Sequence, residues 1–333
     1  MYFQYEELLK SPIHRAAYSD RTAWIMAEMS ALAYLHFEKN EKEFNSLKEN
    51  LEKAKFELVE IFNSGETQAG EKEVTVHDEE NLIKMFLSRG TQAFLAKDNE
   101  RKVAVLAFRG TQTEGMTLET LIDGFVDLYA ALYELDGEAK VHSGFYNAFQ
   151  GVRERIAEKL ENLRGYSVYI TGHSLGGALA LVATQEFNDN NNIAACYTFG
   201  SPKVGNEEYD DKVKVPIYRI INAYDIVPFV PPAKGIVSLG LRIISKGKTS
   251  KLLKRIEGYT HHGFGQKLTY CDEYAEKGQL VPEGGELERF IAMLIHAWKQ
   301  KEWDIGVKCH SLEVYREKLA IWGEKRKDVG KRL

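Results

Sequence analysis

The stretch YSVYITGHSLGGALALVATQEF, residues 166–187, joins an apolar, β-rich segment to an alanine- and leucine-rich segment through a glycine-rich turn. Within this turn, Gly172, Ser174 and Gly176 fit a sharp strand-to-helix elbow, in which larger residues at the glycine positions would clash. The following helix would direct its free N–H groups at the serine. The pattern predicts an exposed nucleophilic serine, and the alternative is an ordinary strand-to-helix turn with a capping serine.

Strand and helix patterns alternate on both sides of this elbow. Residues 91–111 predict two strands about a polar turn at 98–101, and residues 141–165 predict an amphipathic helix. Two further strands are predicted in AACYTFG, residues 194–200, and VPIYRIINA, residues 215–223. This alternation predicts an α/β fold with a mainly parallel central sheet and helices on both faces. Ligand sites in such sheets lie beyond the carboxyl ends of the strands.

Residues 1–90 are expected to be mostly helical. One helix is predicted to begin at the cap candidates Ser19 and Asp20. A second is indicated by apolar residues at alternating steps of three and four, from Phe44 to Ile61. We expect both helices to pack against the sheet within a single domain that spans residues 1–333.

Composition narrows the class of protein. The chain has 333 residues, of which 44% are hydrophobic and 28% charged, as is typical of a globular protein. A net charge of −5 gives no footprint for a nucleic-acid partner. The N-terminus lacks the features of a signal peptide, so a cytoplasmic location is expected, and secretion of a longer precursor stays open as an alternative. Three widely spaced cysteines predict plain thiols rather than a disulfide framework or a zinc site.

A serine nucleophile needs a base and an acid. In sheets that carry such an elbow, the acid precedes the base along the chain. Asp225 lies just past a predicted strand, before a proline-rich loop, and is the favoured acid. The other candidates are in charged or turn-like sequence and are expected to be solvated; they are Asp189, Asp210 and Asp211.

The favoured base is His310, which lies in a late loop before a helix-like segment. His261 and His262, in GYTHHGFGQKLTY, are the second choice. His296 lies in an apolar helical stretch and is expected to be a core residue. Asp304 competes with Asp225 as the partner of His310, although it does not follow a strand.

Acyl transfer also requires N–H donors for the developing oxyanion. The residue after the nucleophile, Leu175, supplies one backbone N–H. Thr111, at the end of AVLAFRGT, is the candidate for the second donor, because a strand ends there in a glycine turn.

Taken together, these motifs resemble those of the class 3 lipases, the fungal-type lipase family of α/β hydrolases. The motifs that carry the resemblance follow the family's order and fall within roughly residues 80–320; they are AFRGT (107–111), VHSGFYNAF (141–149), YITGHSLGGALA (169–180), YTFGSPKVGN (197–206), YRIINAYDIVPFVPP (218–232) and CHSLEVY (309–315). The resemblance implies an α/β-hydrolase fold and hydrolysis of lipid esters at a lipid–water interface, without a metal or cofactor.

Residue by residue, the resemblance makes Ser174 the nucleophile, Asp225 the acid, His310 the base and Thr111 an oxyanion residue. His142 would help to hold the site's architecture. The resemblance further implies a lid, here over residues 112–135, with apolar side chains that could face the pocket. The alternative is an ordinary amphipathic helix that packs on the core.

One segment departs from the family pattern. Seven basic residues and no acidic residue occur between Lys234 and Arg255, within a basic insertion at 233–258. This segment is interpreted as a patch that contacts an anionic lipid surface, and the alternative is a solvated basic insertion. The alternatives to a triacylglycerol lipase are a phospholipase A1, a short-chain carboxylesterase, a thioesterase, a non-catalytic lipid-binding module and a scaffold domain. The sequence does not specify the oligomeric state.

Overall fold

A central sheet organises this protein. The structure is a computed structural model and describes residues 1–10, 17–64, 91–111, 132–189, 192–231, 258–270 and 276–329. The strands in these ranges are β1 (Glu57–Asn63), β2 (Gln92–Asp98), β3 (Val103–Phe108), β4 (Leu132–Asp136), β5 (Ala139–His142), β6 (Ser167–His173), β7 (Ile193–Phe199), β8 (Ile217–Asn222), β9 (Phe264–Leu268) and β10 (Leu280–Pro282).

Eight of these strands form one sheet, in the order β1-β2-β3-β6-β7-β8-β9-β10. In this sheet, β3, β6, β7, β8 and β9 are parallel, whereas β1, β2 and β10 pair antiparallel at the two edges. Strands β4 and β5 form a separate hairpin. The mainly parallel sheet predicted from the sequence is therefore confirmed.

Helices cover both faces of the sheet. The α-helices in the described part of the chain are α1 (Asp20–Leu32), α2 (Glu41–Lys53), α3 (Ser143–Glu161), α4 (Leu175–Glu186), α5 (Glu207–Asp210), α6 (Glu286–Gln300), α7 (Ile305–Lys308) and α8 (Leu312–Val329). Two 3₁₀ helices occupy Glu6–Lys10 and Val227–Phe229. No helix within the described ranges is long and apolar enough to cross a membrane.

Alternation along the strands divides the core in two. In β6, Val168 and Ile170 face the core shared with α3, α4 and α6, whereas Tyr169 faces the core shared with α1, α2 and α8. Both faces of a parallel strand are thus buried, which explains why these strands read as continuous apolar runs.

The N-terminal helices pack on the sheet. Their link to β3 is Arg109, which is buried and donates from Nε to the Ala33 carbonyl at 2.6 Å. The same guanidinium pairs with both carboxylate oxygens of Glu38, at 2.7 and 2.8 Å. A buried arginine needs such partners, because an unpaired buried charge is costly.

One predicted helix is shorter than expected. The helix predicted from Phe44 to Ile61 is α2, and it ends at Lys53. Lys55 has a φ of +64°, and the Phe56 N–H donates back to the Leu51 carbonyl at 2.8 Å, which closes the helix end. The remaining residues extend into β1, where pairing with β2 outweighs the helical spacing.

The prediction for the cysteines was wrong for one of them. Cys309 is disulfide-bonded. Cys196 is a free, buried thiol, and burial raises its pKa to about 12. The lid predicted over residues 112–135 lies outside the described residues except for its last four, which belong to β4. The basic insertion predicted over 233–258 lies outside them as well, apart from Gly258.

Candidate active site

The predicted elbow lies between β6 and α4. Ser174 has φ +56° and ψ −128°, an unusual conformation for a residue with a side chain, and its N–H donates to the Phe199 carbonyl at 2.9 Å. A Cβ at Gly172 would collide with the Gly176 carbonyl, and a Cβ at Gly176 would collide with the Phe108 carbonyl. Both glycines are therefore required by close backbone approach.

The structure brings Ser174, Asp225 and His310 together. The Ser174 hydroxyl donates to Nε2 of His310 at 2.8 Å. Nδ1–H of His310 donates to the Asp225 carboxylate, at 2.9 Å from Oδ2 and 3.0 Å from Oδ1. All three side chains are fully buried. This chain of hydrogen bonds sets the imidazole tautomer that leaves Nε2 free to accept the serine proton.

Asp225 is held by groups beyond the imidazole. The Val227 N–H donates to Asp225 Oδ1 at 2.9 Å, and the Tyr315 hydroxyl donates to Oδ2 at 2.6 Å. The same hydroxyl accepts a hydrogen bond from the Asn222 N–H at 2.8 Å. Burial, followed by the charge of Asp225, raises the pKa of Tyr315 well above its usual value, so this hydroxyl stays protonated as a donor. The sequence motif contained Tyr315, but its spacing alone did not indicate this contact.

Gly200 provides the space for this pair. It lies just past β7 with a φ of +54°, and its N–H donates to the Ile220 carbonyl at 3.0 Å. A Cβ built there would lie 2.5 Å from Asp225 Oδ2 and 2.9 Å from His310 Nδ1. Both the backbone conformation and the contact therefore require glycine.

His173 is adjacent to the serine but has different partners. Its Nε2–H donates to the His310 carbonyl at 2.8 Å, and its Nδ1 accepts from the Tyr34 hydroxyl at 2.8 Å. Burial, together with the nearby His310, lowers the pKa of His173 well below its usual value. His173 is thus a neutral side chain that holds the backbone of His310. Sequence reasoning did not find this role, because it depends on Tyr34 from the N-terminal region.

The other candidate bases and acids have their own partners. His261 Nε2 lies 2.6 Å from the Pro228 carbonyl, and His262 Nδ1 lies 2.7 Å from Asp210 Oδ1. His296 lies against Tyr224 with ring centroids 4.7 Å apart and an interplanar angle of 33°, and its side chain is partly exposed rather than in the core. Asp304 and Asp189 are mostly exposed, and they pair with Lys308 and Lys214, respectively.

The two predicted oxyanion donors lie beside the elbow. Leu175 is the first residue of α4, so its N–H has no acceptor within the helix. Thr111 follows the end of β3, where the backbone passes close to Gly176: a Cβ on that glycine would lie 2.9 Å from the Gly110 nitrogen. The arrangement places the end of the β3 strand against the start of α4, on the side of Ser174.

His142 begins α3. Its Nδ1 accepts from the Phe145 N–H at 3.0 Å, and its own N–H donates to the Val204 carbonyl at 2.9 Å. These bonds join β5 and α3 to the loop after β7, consistent with an architectural role.

Comparison with known proteins finds similarity to lipases. Residues 105–235 match the family Lipase (class 3). The chain is 30% identical over 175 residues to a lipase of Rhizopus niveus, covering 49% of this chain and 43% of that protein. It is 33% identical over 151 residues to the secreted mono- and diacylglycerol lipase 1 of Fusarium solani, covering 43% of this chain and 44% of that protein. The chain thus spans less than half the length of these relatives.

The fold has solved counterparts. The structure of Rhizomucor miehei triacylglyceride lipase aligns with a TM-score of 0.55 at 18% identity, covering 89% of this chain and 98% of the other. An alignment at this identity shows likeness of fold alone, and that fold agrees with the α/β architecture predicted from the sequence. The resemblance inferred from the motifs is confirmed as well, because residues 105–235 match the class 3 lipase family.

Proposed function

We propose that this protein is a serine hydrolase that cleaves carboxylic esters of lipids, as a triacylglycerol lipase, through an acyl-enzyme on Ser174. The observation that carries the proposal is the continuous hydrogen-bond chain from Asp225 through His310 to Ser174, positioned at the start of α4. The match of residues 105–235 to the class 3 lipases supports a lipid ester as the substrate.

The proposed reaction has two steps. His310 Nε2 removes the hydroxyl proton as Ser174 Oγ attacks the ester carbonyl, and the N–H groups of Thr111 and Leu175 stabilise the oxyanion. His310 then donates that proton to the departing alcohol. A water molecule repeats the sequence on the acyl-enzyme and releases the fatty acid. Asp225 keeps Nδ1 protonated and stabilises the imidazolium that forms in each step.

The test compares wild type, Ser174→Ala and a matched control on p-nitrophenyl esters of increasing chain length. Ser167→Ala is the control, because Ser167 lies at the opposite end of the same strand, β6. We expect Ser174→Ala to lower kcat by about 10³-fold or more, and Ser167→Ala to stay close to wild type. Undiminished hydrolysis by Ser174→Ala would end the serine mechanism, whereas no hydrolysis by the wild type on any ester would leave a non-catalytic module or scaffold.

The base is tested in the same assay. His310→Ala is expected to lose activity to the same extent as Ser174→Ala, because nucleophile and base act as a unit. His262→Ala is the comparison variant, since His262 is a buried histidine paired with Asp210. Loss of catalysis in His262→Ala with a folded, active His310→Ala would reverse the assignment.

Substrate chain length separates the related activities. A triacylglycerol lipase is expected to prefer long acyl chains and to gain rate where the substrate aggregates. A short-chain carboxylesterase or thioesterase would favour short or thioester substrates, and a phospholipase A1 would release the sn-1 acyl chain of a phospholipid.

We further propose that the basic insertion contacts an anionic lipid surface. The support is its composition, with seven basic residues and no acidic residue between Lys234 and Arg255. Binding to vesicles with and without anionic lipid tests this, and equal binding to both would rule out docking by charge.

A further inference from the structure

Asn222 is the last residue of β8 and is fully buried. Its backbone carbonyl accepts a hydrogen bond from the Asp225 N–H at 2.8 Å, which closes the turn that carries the acid. Its backbone N–H donates to the Tyr315 hydroxyl at 2.8 Å, and that hydroxyl donates to Asp225 Oδ2 at 2.6 Å. Both backbone groups of Asn222 therefore hold the acid, one directly and one through Tyr315.

The side chain of Asn222 extends to the segment that carries the base. Nδ2 donates to the Cys309 carbonyl at 2.8 Å, across 87 residues of the chain. That carbonyl belongs to the peptide group on the N-terminal side of His310. The peptide group on the C-terminal side is held by His173, which ends β6 and donates to the His310 carbonyl at 2.8 Å. Both peptide groups that flank the base are thus fixed to the ends of sheet strands.

A buried lysine sets the orientation of the Asn222 amide. Lys318 is 1% exposed, and its Nζ donates to Asn222 Oδ1 at 2.6 Å. An ammonium group can only donate, so the amide must direct its oxygen at Lys318 and its NH2 group at the Cys309 carbonyl. The backbone N–H, the backbone carbonyl, Oδ1 and Nδ2 of Asn222 therefore all have partners.

Volume alone does not explain an asparagine at this position. Leucine has a similar shape and would fill the same space, without the free energy that burial of an amide costs unless its polar groups are paired. The Asn222 amide meets that condition by bonding to the backbone beside His310 and to Lys318. Its contacts connect the end of β8, where the turn to Asp225 begins, to the segment that carries the base.

We propose that Asn222 is a positioning residue, which sets Asp225 and His310 relative to each other by holding the backbone of both. The inference rests on the proposed serine hydrolase function. Asn222 takes no part in proton transfer, but it keeps the imidazole where Nε2 faces the Ser174 hydroxyl. Because a misplacement of about 1 Å can cost 10²-fold in rate, loss of this hold should appear in kcat rather than in KM.

The first test variant is Asn222→Asp. It keeps the shape of the side chain and the acceptor for Lys318, but it replaces the donor to the Cys309 carbonyl with an oxygen. Two acceptors in that contact repel each other, so the peptide group before His310 must move. Asn222→Ala is made in parallel, because it removes the same donor without adding a charge.

Asn50→Asp is the matched control. Asn50 is also buried, and its Nδ2 donates to a backbone carbonyl, that of Ser46, at 2.7 Å. Its Oδ1 likewise accepts from a lysine, Lys53, at 3.4 Å. It lies in α2, which packs on β1 at the edge of the sheet, so the same substitution there leaves the backbone of Asp225 and His310 in place.

The assay measures kcat and KM for a short, soluble p-nitrophenyl ester, and thermal unfolding verifies that each variant is folded. We expect kcat of Asn222→Asp and Asn222→Ala to fall by about 10- to 100-fold with KM within about twofold of wild type. Both constants of Asn50→Asp should stay within about twofold of wild type. A folded Asn222→Ala protein with wild-type kcat overturns the proposal, as does an equal loss of kcat in Asn50→Asp.

The proton on Nδ1 of His310 gives a second readout, which does not require turnover. This proton lies in the buried hydrogen bond to Asp225 and is observed at low field by ¹H NMR. We expect its chemical shift to change in Asn222→Ala and to match wild type in Asn50→Asp; an unchanged shift in Asn222→Ala contradicts the positioning role. A wild-type protein that hydrolyses no ester would refute the proposed function instead, and the proton shift would still decide the role of Asn222.

Discussion

Replacing Gly200 with alanine tests whether the space around the Asp225–His310 pair is required for catalysis. The added Cβ would lie 2.5 Å from Asp225 Oδ2, whereas ordinary contact begins at 3.4 Å. The carboxylate or the backbone must therefore move by about 0.9 Å. A misplacement of about 1 Å can cost 10²-fold in rate, which corresponds to about 2.7 kcal/mol in the barrier. Complete loss of the contact with the imidazole would raise the loss toward about 10⁴-fold.

The backbone contributes a second, separable effect. A non-glycine residue at the φ of +54° found at Gly200 costs about 1–2 kcal/mol of folding free energy. Gly137→Ala is the matched control, because Gly137 has a φ of +68° and nothing lies within 4 Å of an added Cβ. Both variants should lose stability through the backbone, but only Gly200→Ala should lose catalysis.

The assay measures kcat for hydrolysis of a short, soluble p-nitrophenyl ester, and thermal unfolding is measured on the same samples. We expect kcat of Gly200→Ala to fall by about 10²-fold or more, and kcat of Gly137→Ala to stay within about twofold of wild type. A folded Gly200→Ala protein with the kcat of Gly137→Ala would refute the reasoning, because the pair would then tolerate the displacement.

Three further predictions follow from buried groups. Tyr315→Phe removes the donor to Asp225 and leaves the Asn222 N–H without this acceptor, so we expect kcat to fall about tenfold with little change in KM, and the free energy of unfolding to fall by about 1–3 kcal/mol. Burial lowers the pKa values of His173 and His261 well below 6.5. Below pH 6.5 the unfolded chain therefore binds protons that the folded protein does not. The free energy of unfolding should fall with decreasing pH by up to about 1.4 kcal/mol per pH unit for each histidine. Denaturant titrations at a series of pH values measure this free energy, and its dependence on pH should be weaker for His261→Gln than for wild type. Dithiothreitol should lower the melting temperature through loss of the Cys309 disulfide, by an amount equivalent to about 2–4 kcal/mol, and an unchanged melting temperature would contradict a stabilising role.

Local sequence was a good guide where one physical requirement dominated. The elbow needs two glycines at fixed positions about the serine, so GHSLGG predicted its own turn. The strands β3, β6, β7 and β8 are buried on both faces and were recognisable as apolar runs. The helical spacing gave a wrong prediction after Lys53. Lys55 has a left-handed conformation that ends α2, and pairing with β2 makes the next residues a strand.

The sequence by itself predicted the parallel strands β3, β6, β7 and β8, the elbow, and Asp225 and His310 as candidate acid and base. Strand patterns and glycine sterics act locally, and chain order narrows the choice of partners for the serine. Only the tertiary structure decided the contacts that cross the chain. The Tyr315 hydroxyl reaches Asp225 across 90 residues, and His173 reaches the His310 carbonyl across 137. Likewise, the exposure of Trp298 could not be read from an apolar helix, because the face that is buried depends on what packs against it.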